Sequence, residues 1–315
     1  MTSIRSRILH RTLQRVSGAL ALNLSIPEQR TRMNELARRG IRIPRGVTVR
    51  SVQAGGIHAE WIEPAGPVPE KVILYLHGGG YCICSLDTHR GLAARLALAS
   101  LARVLIIDYR LAPENPFPAA LEDVLTAYRW LLAQGISAEQ IVIGGDSAGG
   151  GLSVATALSL RNAGQALPSA MFLISPWTDL TFSGESIHSR INVDPIFGGD
   201  GNRLYFAPAY LGSNDPTNPL ISPLFGELHH LPPTLIHVGS DEILLDDSVR
   251  LKQKLIAAGV DVRLEVWDGM WHVFQIFAPY VPEAQQAIYQ LGDFIAGRNP
   301  LGYVNNSPKV KEIKK

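Results

Sequence analysis

The sequence predicts an α/β fold in which a mostly parallel sheet carries helices on both faces. Strand and helix signals alternate from about residue 47 onward, which is typical of such sheets. Two nearly continuous apolar runs, KVILYL at 71–76 and RVLIID at 103–108, are typical of central strands covered on both sides. Hydrophobic residues make up 46% of the 315 residues and charged residues only 18%, so the chain can bury a large core.

The residues before this alternating pattern predict helices. The charged amphipathic stretch from Gln29 to Arg39 indicates that residues 1–40 form helices that pack on the body of the protein. An arginine-rich start followed by an apolar run at 16–24 loosely resembles a signal peptide. The run is short and interrupted, and no small-residue cleavage site follows it, so secretion is only the alternative interpretation.

The first half of the alternating pattern begins with two short strands that form a hairpin-like entry. The central strands follow, and then a helix whose apolar residues recur at helical spacing and which Gly135 ends. These elements are predicted at 47–53, 57–62, 71–76, 103–108 and 118–134.

The second half repeats the alternation and ends with a closing helix. Its elements are predicted at 141–144, 148–163, 170–175, 234–239, 246–258, 262–267 and 282–296. The stretch 180–230 interrupts the rhythm, because it is rich in Gly, Pro, Asn and Asp with aromatic residues between them. Such insertions usually lie over the carboxyl edge of the sheet, where ligands bind.

Composition and charge exclude several classes of function. The 29 Lys and Arg residues balance 28 Asp and Glu residues, and the body has no basic run, so no nucleic-acid partner is expected. No stretch approaches 18 apolar residues and no large exposed apolar lid is indicated, so we expect no membrane partner. Cys82 and Cys84 have no second Cys or His pair at ligand spacing, so they predict buried thiols rather than a metal site. We expect a reducing, cytoplasmic location.

The strongest motif is the pentapeptide GDSAG at 145–149, between a short apolar strand and a helix rich in small residues. A G-x-S-x-G sequence in this context predicts a sharp strand-to-helix turn that projects the serine from the top of the sheet. The glycines let neighbouring backbone approach closely. The helix amino terminus adds positive potential where negative charge would develop. Ser147 is therefore the candidate nucleophile.

A second motif, His77-Gly78-Gly79-Gly80, directly follows the strand KVILYL. Three consecutive glycines destabilise a chain unless the backbone itself is needed, and here they can direct N–H groups into a cavity. We assign an oxyanion hole to the N–H groups of Gly78, Gly79 and Ala148. His77 then has a supporting role in fixing the loop. A phosphate-binding loop is disfavoured because no G-K-[ST] follows.

A serine nucleophile needs a base, and the base needs an acid that orients it. His272 lies in a turn between the last strand and the closing helix, from which it can reach back over the sheet edge. Asp241 follows the strand TLIHVG and can deliver a carboxylate to the same edge, whereas Asp246 and Asp247 are predicted to cap the next helix. The order Ser147, Asp241, His272 is that of α/β-hydrolases.

These motifs together resemble the hormone-sensitive-lipase-like (family IV) bacterial carboxylesterases. The resemblance rests on HGGG, the segment DYRLAPE at 108–114, GDSAGG, the acid loop (Asp241 in its Asp-Glu-x-Leu surroundings) and a turn with His-x-Phe. These motifs occur in matching order over about residues 45–297. It implies an α/β-hydrolase fold whose eight-stranded, mostly parallel sheet is flanked by helices and covered by a helical cap. It also implies that Ser147 is the nucleophile, His272 the general base and Asp241 its partner. Met270-Trp271 stand where a proline-containing turn is frequent, so the shape of the pocket is expected to differ.

The resemblance also implies a division of the chain into a cap and a catalytic domain. Residues 1–45 are expected to form the amino-terminal cap helices and residues 181–225 the cap insertion. Residues 46–180 and 226–298 are expected to form the catalytic domain, and residues 299–315 a flexible tail.

The predicted reaction is hydrolysis of short- to medium-chain acyl esters through an acyl-enzyme, with no cofactor and no metal. Trp177, Trp271 and Phe274 are candidate pocket walls, although Trp177 is equally compatible with a place in the core. An amidase or acyltransferase using the same triad, and a non-catalytic receptor on this fold, are the alternatives. The exposed last strand makes a homodimer plausible.

Overall fold

The structure is a computed structural model that describes residues 2–21, 24–67, 69–197 and 206–298. The predicted flexible tail, 299–315, lies outside the described residues. No helix in these ranges is both long enough and apolar enough to cross a bilayer.

A sheet of eight strands forms the centre of the described part of the chain, in the order β1-β2-β4-β3-β5-β6-β7-β8. The first two strands pair in antiparallel fashion, β2 pairs antiparallel to β4, and all other neighbours are parallel. The strands are β1 (Val47–Ala54), β2 (Ile57–Pro64), β3 (Val72–Leu76), β4 (Arg103–Ile107), β5 (Ile141–Asp146), β6 (Ala170–Ile174), β7 (Thr234–Gly239) and β8 (Val262–Trp267). The predicted mostly parallel, eight-stranded sheet is confirmed.

Helices cover both faces of this sheet and create two apolar clusters. One cluster packs helices α4 (Ala119–Ala133), α5 (Ala148–Asn162) and α8 (Leu245–Ala257) against the sheet. The other packs α3 (Leu86–Ser100) and α9 (Pro282–Ile295) against the opposite face. The inner strands contribute side chains to both clusters, which explains their nearly continuous apolar sequences.

Two further groups of helices border the edge of the sheet at which the GDSAG and HGGG motifs lie. Helices α1 (Ile4–Ala21) and α2 (Ile26–Gly40) precede the sheet, and α6 (Ser186–Ser189) and α7 (Phe206–Leu211) lie in the connection from β6 to β7. The Ser6 hydroxyl on α1 donates to Glu283 at 2.6 Å. Arg30 on α2 forms a two-pronged ion pair with Glu114, at 2.7 and 2.9 Å. Both amino-terminal helices are therefore fixed to the body, while the division into cap and catalytic domain stays a prediction.

Candidate active site

Ser147 lies at the sharp turn between β5 and α5. Its backbone has φ 53° and ψ −121°, a conformation that residues other than glycine rarely adopt. The Ser147 N–H donates to the carbonyl of Ile174 at 2.8 Å, and a Cβ on Gly145 or Gly149 would overlap the carbonyl of Leu76. The flanking glycines thus allow the crowding that holds the serine above the sheet.

The HGGG segment forms a loop beside this turn. The carbonyl of Gly79 accepts the N–H groups of Cys82 and Ile83, which folds the segment back on itself. Gly79 and Gly80 line the cavity above Ser147, whereas Gly78 and Ala148 are not among its lining residues. A Cβ on Gly78 would overlap the carboxylate of Asp146, so this glycine is required for packing next to the turn.

His77 supports the loop from below. Its Nδ1 lies 2.7 Å from the carbonyl oxygen of Gly78, and the Tyr109 hydroxyl donates to the His77 carbonyl at 2.6 Å. The rings of His77 and Tyr109 stack with centroids 4.3 Å apart. Burial lowers the pKa of His77 to about 4, so the side chain is neutral at physiological pH. These contacts are of the supporting kind that the sequence predicts for His77.

The acid partner of His272 is Glu242, so the prediction of Asp241 is wrong. His272 Nδ1 lies 2.8 Å from Glu242 Oε2, and the other carboxylate oxygen accepts the Ser175 hydroxyl at 2.8 Å and the Gly239 N–H at 2.6 Å. The Glu242 side chain is 0% exposed, whereas that of Asp241 is 29% exposed and faces His10 at 3.6 Å.

The geometry of the turn after β7 explains this correction. The N–H of Asp241 donates to the Met270 carbonyl, and the Asp241 side chain accepts the Ser240 hydroxyl, which directs it outward. The next residue then points inward, and its longer side chain reaches His272. The sequence signal for Glu242 is the pair of consecutive acids after the strand, which marks both residues as candidates without favouring either.

Glu242 also sets the proton affinity of the base. Burial alone would lower the pKa of His272, but the hydrogen bond and charge of Glu242 outweigh it and hold the pKa above its ordinary value. Asp194 adds to this effect through its charge. Asp194 itself accepts the N–H groups of Ile196, Phe197 and Ile243, and burial raises its pKa to about 6.

Through these hydrogen bonds Asp194 ties the segment between β6 and β7 to the acid loop after β7. The Phe197 ring meets the His272 imidazole edge-on, with centroids 4.7 Å apart. Neither Asp194 nor Phe197 was singled out for these contacts from the sequence, because no motif marks residues that meet only in the fold.

A second buried carboxylate lies directly before the nucleophile. Asp146 accepts the Tyr75 hydroxyl at 2.6 Å and lies 3.1 Å from His89 Nε2. Burial would raise the pKa of Asp146, but these two neighbours hold it below its ordinary value. The carboxylate thus ties β3, α3 and β5 together beneath the cavity.

Ser147 and His272 line the same cavity, whose volume is about 560 Å³. Its walls are mostly apolar and come from α1, α2, the HGGG loop, the β6–β7 connection and the turn that carries His272. Trp177 is one of these walls, together with Phe182, Phe197, Phe206 and Phe277. The interpretation of Trp177 as a pocket wall therefore fits the structure.

Trp271 and Phe274 are not pocket walls, which corrects the prediction for both. Each is fully buried in the apolar cluster between the sheet and α3 and α9. Trp271 packs edge-on against Phe277, and Phe274 packs against Trp267. The turn directs the consecutive residues His272 and Val273 towards the cavity, while the larger aromatic residues on either side of them fill the core.

Comparison with known families agrees with this architecture. A family model described as the alpha/beta hydrolase fold matches residues 73–276. An acetyl-hydrolase of Streptomyces hygroscopicus is 44% identical over 244 residues, which span 78% of this chain and 81% of the relative. An esterase of Acinetobacter venetianus is 38% identical over 248 residues, 79% of this chain and 82% of the relative.

Solved structures give the same assignment. A hormone-sensitive lipase from a metagenome library superposes with a TM-score of 0.90 at 38% identity, covering 95% of this chain and 99% of the other. Esterase EstE5, in a crystal soaked with p-nitrophenyl butyrate, gives a TM-score of 0.89 at 41% identity, covering 94% and 99%. The chain therefore belongs to the hormone-sensitive-lipase-like esterases of the α/β-hydrolase superfamily and is a carboxylic ester hydrolase.

Proposed function

We propose that the protein hydrolyses short- to medium-chain acyl esters through an acyl-enzyme, with a triad of Ser147, His272 and Glu242. The observation that carries the proposal is the buried hydrogen bond between Glu242 and His272 Nδ1 at 2.8 Å. This bond leaves Nε2 as the nitrogen that can accept a proton, in a cavity that Ser147 also lines.

The mechanism follows from these positions. Ser147 Oγ attacks the ester carbonyl while His272 Nε2 takes its proton, and the carbonyl π electrons move to oxygen. When the tetrahedral intermediate collapses, the carbon–oxygen bond to the alcohol breaks and His272 returns the proton to that oxygen. Water then attacks the acyl-enzyme by the same steps and releases the acid and the free serine.

Backbone N–H groups stabilise the oxyanion in this proposal. Gly79 and Gly80 line the cavity, and Ala148 begins α5 directly after the nucleophile. An N–H in the first turn of a helix has no acceptor within the helix and is free to donate to an oxyanion. We therefore assign the donors to Gly79, Gly80 and Ala148. Gly80 replaces Gly78 of the sequence-based set because, of these two loop glycines, only Gly80 lines the cavity. Ala148 is kept because its N–H, at the start of α5, follows the nucleophile directly.

The cavity favours an uncharged acyl chain of limited length. Its volume of about 560 Å³ lies within the range of small-molecule sites, and aromatic and aliphatic side chains form most of its wall. Leu13 of α1 and Met33 of α2 form part of this apolar wall. A long acyl chain would have to displace these helices, so activity should decline beyond medium chain lengths.

An acyl-length series of p-nitrophenyl esters tests the proposal, from acetyl through butyryl and octanoyl to palmitoyl. We expect the highest kcat/KM between acetyl and octanoyl and little turnover of palmitoyl. Ser147→Ala should lower kcat by about 10⁴–10⁶. A phosphonate inhibitor should add its mass to the peptide that contains Ser147. Modification of another residue, or an active Ser147→Ala enzyme, would refute the triad.

A further inference from the structure

The charge of the chain is unevenly distributed along its length. Residues 1–45 contain two glutamates and ten arginines, whereas residues 46–315 contain 19 basic and 26 acidic residues. The near-neutral total therefore conceals a strongly cationic amino-terminal segment. Its arginines are Arg5, Arg7, Arg11, Arg15, Arg30, Arg32, Arg38, Arg39, Arg42 and Arg45.

Helix α1 presents part of this charge on one outward face. Ile4, Ile8, Arg11 and Arg15 follow the spacing i, i+4, i+7 and i+11, which places them on one side of a helix. All four are exposed, and the two isoleucines are 67% and 62% exposed. The opposite face is held on the body, where Ser6 bonds Glu283 and Leu13 lines the cavity.

The arginines of this face are available to an external partner. The ion pairs that the structure shows in its described part include none made by Arg11 or Arg15, nor by their neighbours Arg5 and Arg7. A row of unpaired arginines beside exposed isoleucines is not explained by packing within the chain.

Helix α2 adds exposed residues at the rim of the cavity. Arg30 and Arg38 pair with Glu114 and Asp87 and hold the helix in place. Arg32 is exposed and Leu36 is 51% exposed, and both line the active-site cavity. Because these two exposed residues belong to the cavity lining, a rim of the cavity lies at α2, and Leu13 places α1 on the wall of the same cavity.

We propose that this cationic face, formed by Ile4, Ile8, Arg11 and Arg15 of α1 with Arg32 and Leu36 of α2, docks the protein on anionic lipid surfaces. A helix with basic residues beside exposed aliphatic residues is typical of segments that lie at a membrane interface. Arginines attract the anionic head groups, and isoleucines insert among the acyl chains. Docking would bring the two helices that border the cavity to the surface in which apolar esters accumulate.

Peripheral docking departs from the sequence-based expectation that no membrane partner exists. That expectation rested on the lack of a spanning segment and of a large exposed apolar lid, and a basic helix face with a few exposed aliphatic residues requires neither. The inference does not depend on the proposed triad, because vesicle binding is measured without turnover.

Co-sedimentation with lipid vesicles tests the proposal. Vesicles of phosphatidylcholine with one third phosphatidylglycerol should bind the protein, and vesicles of phosphatidylcholine alone should bind it weakly. Raising the salt from about 0.1 M to about 1 M shortens the screening length from about 10 Å to about 3 Å, so it should release the protein. Arg11→Glu/Arg15→Glu should lower the partition coefficient by about tenfold or more.

A matched variant distinguishes the effect of this face on vesicle binding from the effect of the protein's net charge. Arg129→Glu/Lys252→Glu makes the same change of charge on α4 and α8 and should retain at least half of the vesicle binding. Ile4→Ser/Ile8→Ser should weaken vesicle binding while leaving binding to heparin, a polyanion without acyl chains, unchanged. Hydrolysis of a water-soluble acetyl ester should be the same in all variants.

Three results would overturn the inference. These are a wild-type protein that does not bind anionic vesicles at low salt, an equal loss in the Arg129 and Lys252 variant, and no effect of the isoleucine substitutions. The last result would indicate a general polyanion surface instead of a lipid surface.

Discussion

At the scale of single residues, His272 depends on Glu242 for its orientation and for its proton affinity. The 2.8 Å bond fixes the imidazole tautomer, and the buried negative charge favours the imidazolium that forms during attack. Glu242 is itself held by Ser175 and Gly239, so its carboxylate cannot turn away.

Glu242→Gln should separate these two effects. The base works only when neutral, so activity falls as pH drops through the pKa of His272. Removing the negative charge lowers that pKa, so the acid limb of the kcat/KM profile should move to lower pH. At the plateau, kcat should fall by about 10³–10⁴ because the tautomer is no longer fixed. Steady-state kinetics across the pH range measures both changes.

Asp241→Asn is the matched control, because it makes the corresponding change at the neighbouring acid. Asp241 faces His10 on the outer side of the turn, so this variant should keep its acid limb and its kcat within a few-fold of the wild type. If Asp241→Asn moved the acid limb and lowered kcat while Glu242→Gln did neither, the assignment of Glu242 would be wrong.

The sequence could place the acid loop but could not choose between its two acids. Position after a strand predicts which edge of the sheet a side chain reaches, and this prediction holds for both residues. The choice depends on the Met270 carbonyl, which meets the Asp241 N–H only in the folded chain, and on the outward direction of the Asp241 side chain in that turn. Gly80 illustrates the same limit, because HGGG indicates N–H donors without indicating which of them face the cavity.

Asp247 gives a prediction about stability. This carboxyl group is buried, accepts the N–H groups of Thr178 and Asp179, and has its pKa raised by burial from 3.8 to about 7. Between these values the unfolded chain releases a proton that the folded chain keeps, so folding loses stability as pH rises. Asp247→Asn removes this loss.

The melting temperature of Asp247→Asn relative to the wild type should therefore rise between about pH 4 and about pH 7 and stay constant above that range. Calorimetry at several pH values measures the difference. Asp246→Asn, on the same helix but partly exposed, should show a smaller dependence on pH. A difference for Asp247→Asn that is independent of pH would contradict the prediction.

At the scale of elements, the signals that predicted strands and helices correctly were the pattern of apolar residues and the glycine that ends a helix. The apolar runs predicted β3 and β4 within one residue at each end, and Gly135 marked the end of α4 correctly. The long helix α3 was not predicted. It is buried on several sides, since Leu92, Leu96, Ala93 and Ala97 all lie in the core, so its sequence has no clear polar face. Tertiary contacts, rather than an amphipathic pattern, define such a helix.

The junction of β5 and α5 gives a prediction at this scale. Gly149→Ala would place a Cβ against the backbone of Leu76 and His77, which cannot yield without moving β3. We expect a loss of about 1–3 kcal/mol in the free energy of unfolding, and lower activity because Ser147 shares the turn. Thermal unfolding followed by circular dichroism measures the loss.

Gly40→Ala is the control for this substitution. Gly40 ends α2, and an added Cβ would meet nothing within 4 Å, so stability should stay equal or rise slightly. Equal melting temperatures for the two variants would contradict the account of the junction.

At the scale of the whole molecule, the positions of the reacting groups follow from topology. Ser147, Glu242 and His272 follow β5, β7 and β8, and parallel strands place their carboxyl ends at one edge. This much was predictable, because the nucleophile, the acid loop and the histidine turn each follow a predicted strand of a mostly parallel sheet. The shape of the cavity was not, because its walls come from many separate parts of the chain that have no common motif.

The sheet also has two edges, β1 and β8, where a second copy could pair. The sequence-based expectation of a homodimer concerns β8, whose Val266 is exposed.

If two copies pair along β8, the wild type should have twice the mass of the chain by light scattering. Val266→Lys should then shift the mass to that of a single chain, because a lysine on an edge strand disfavours pairing. Val49→Lys, an equivalent change on β1, should leave the dimer intact. A dimer that dissociates with Val49→Lys but persists with Val266→Lys would place the interface at β1, and a single-chain mass for the wild type would exclude the dimer.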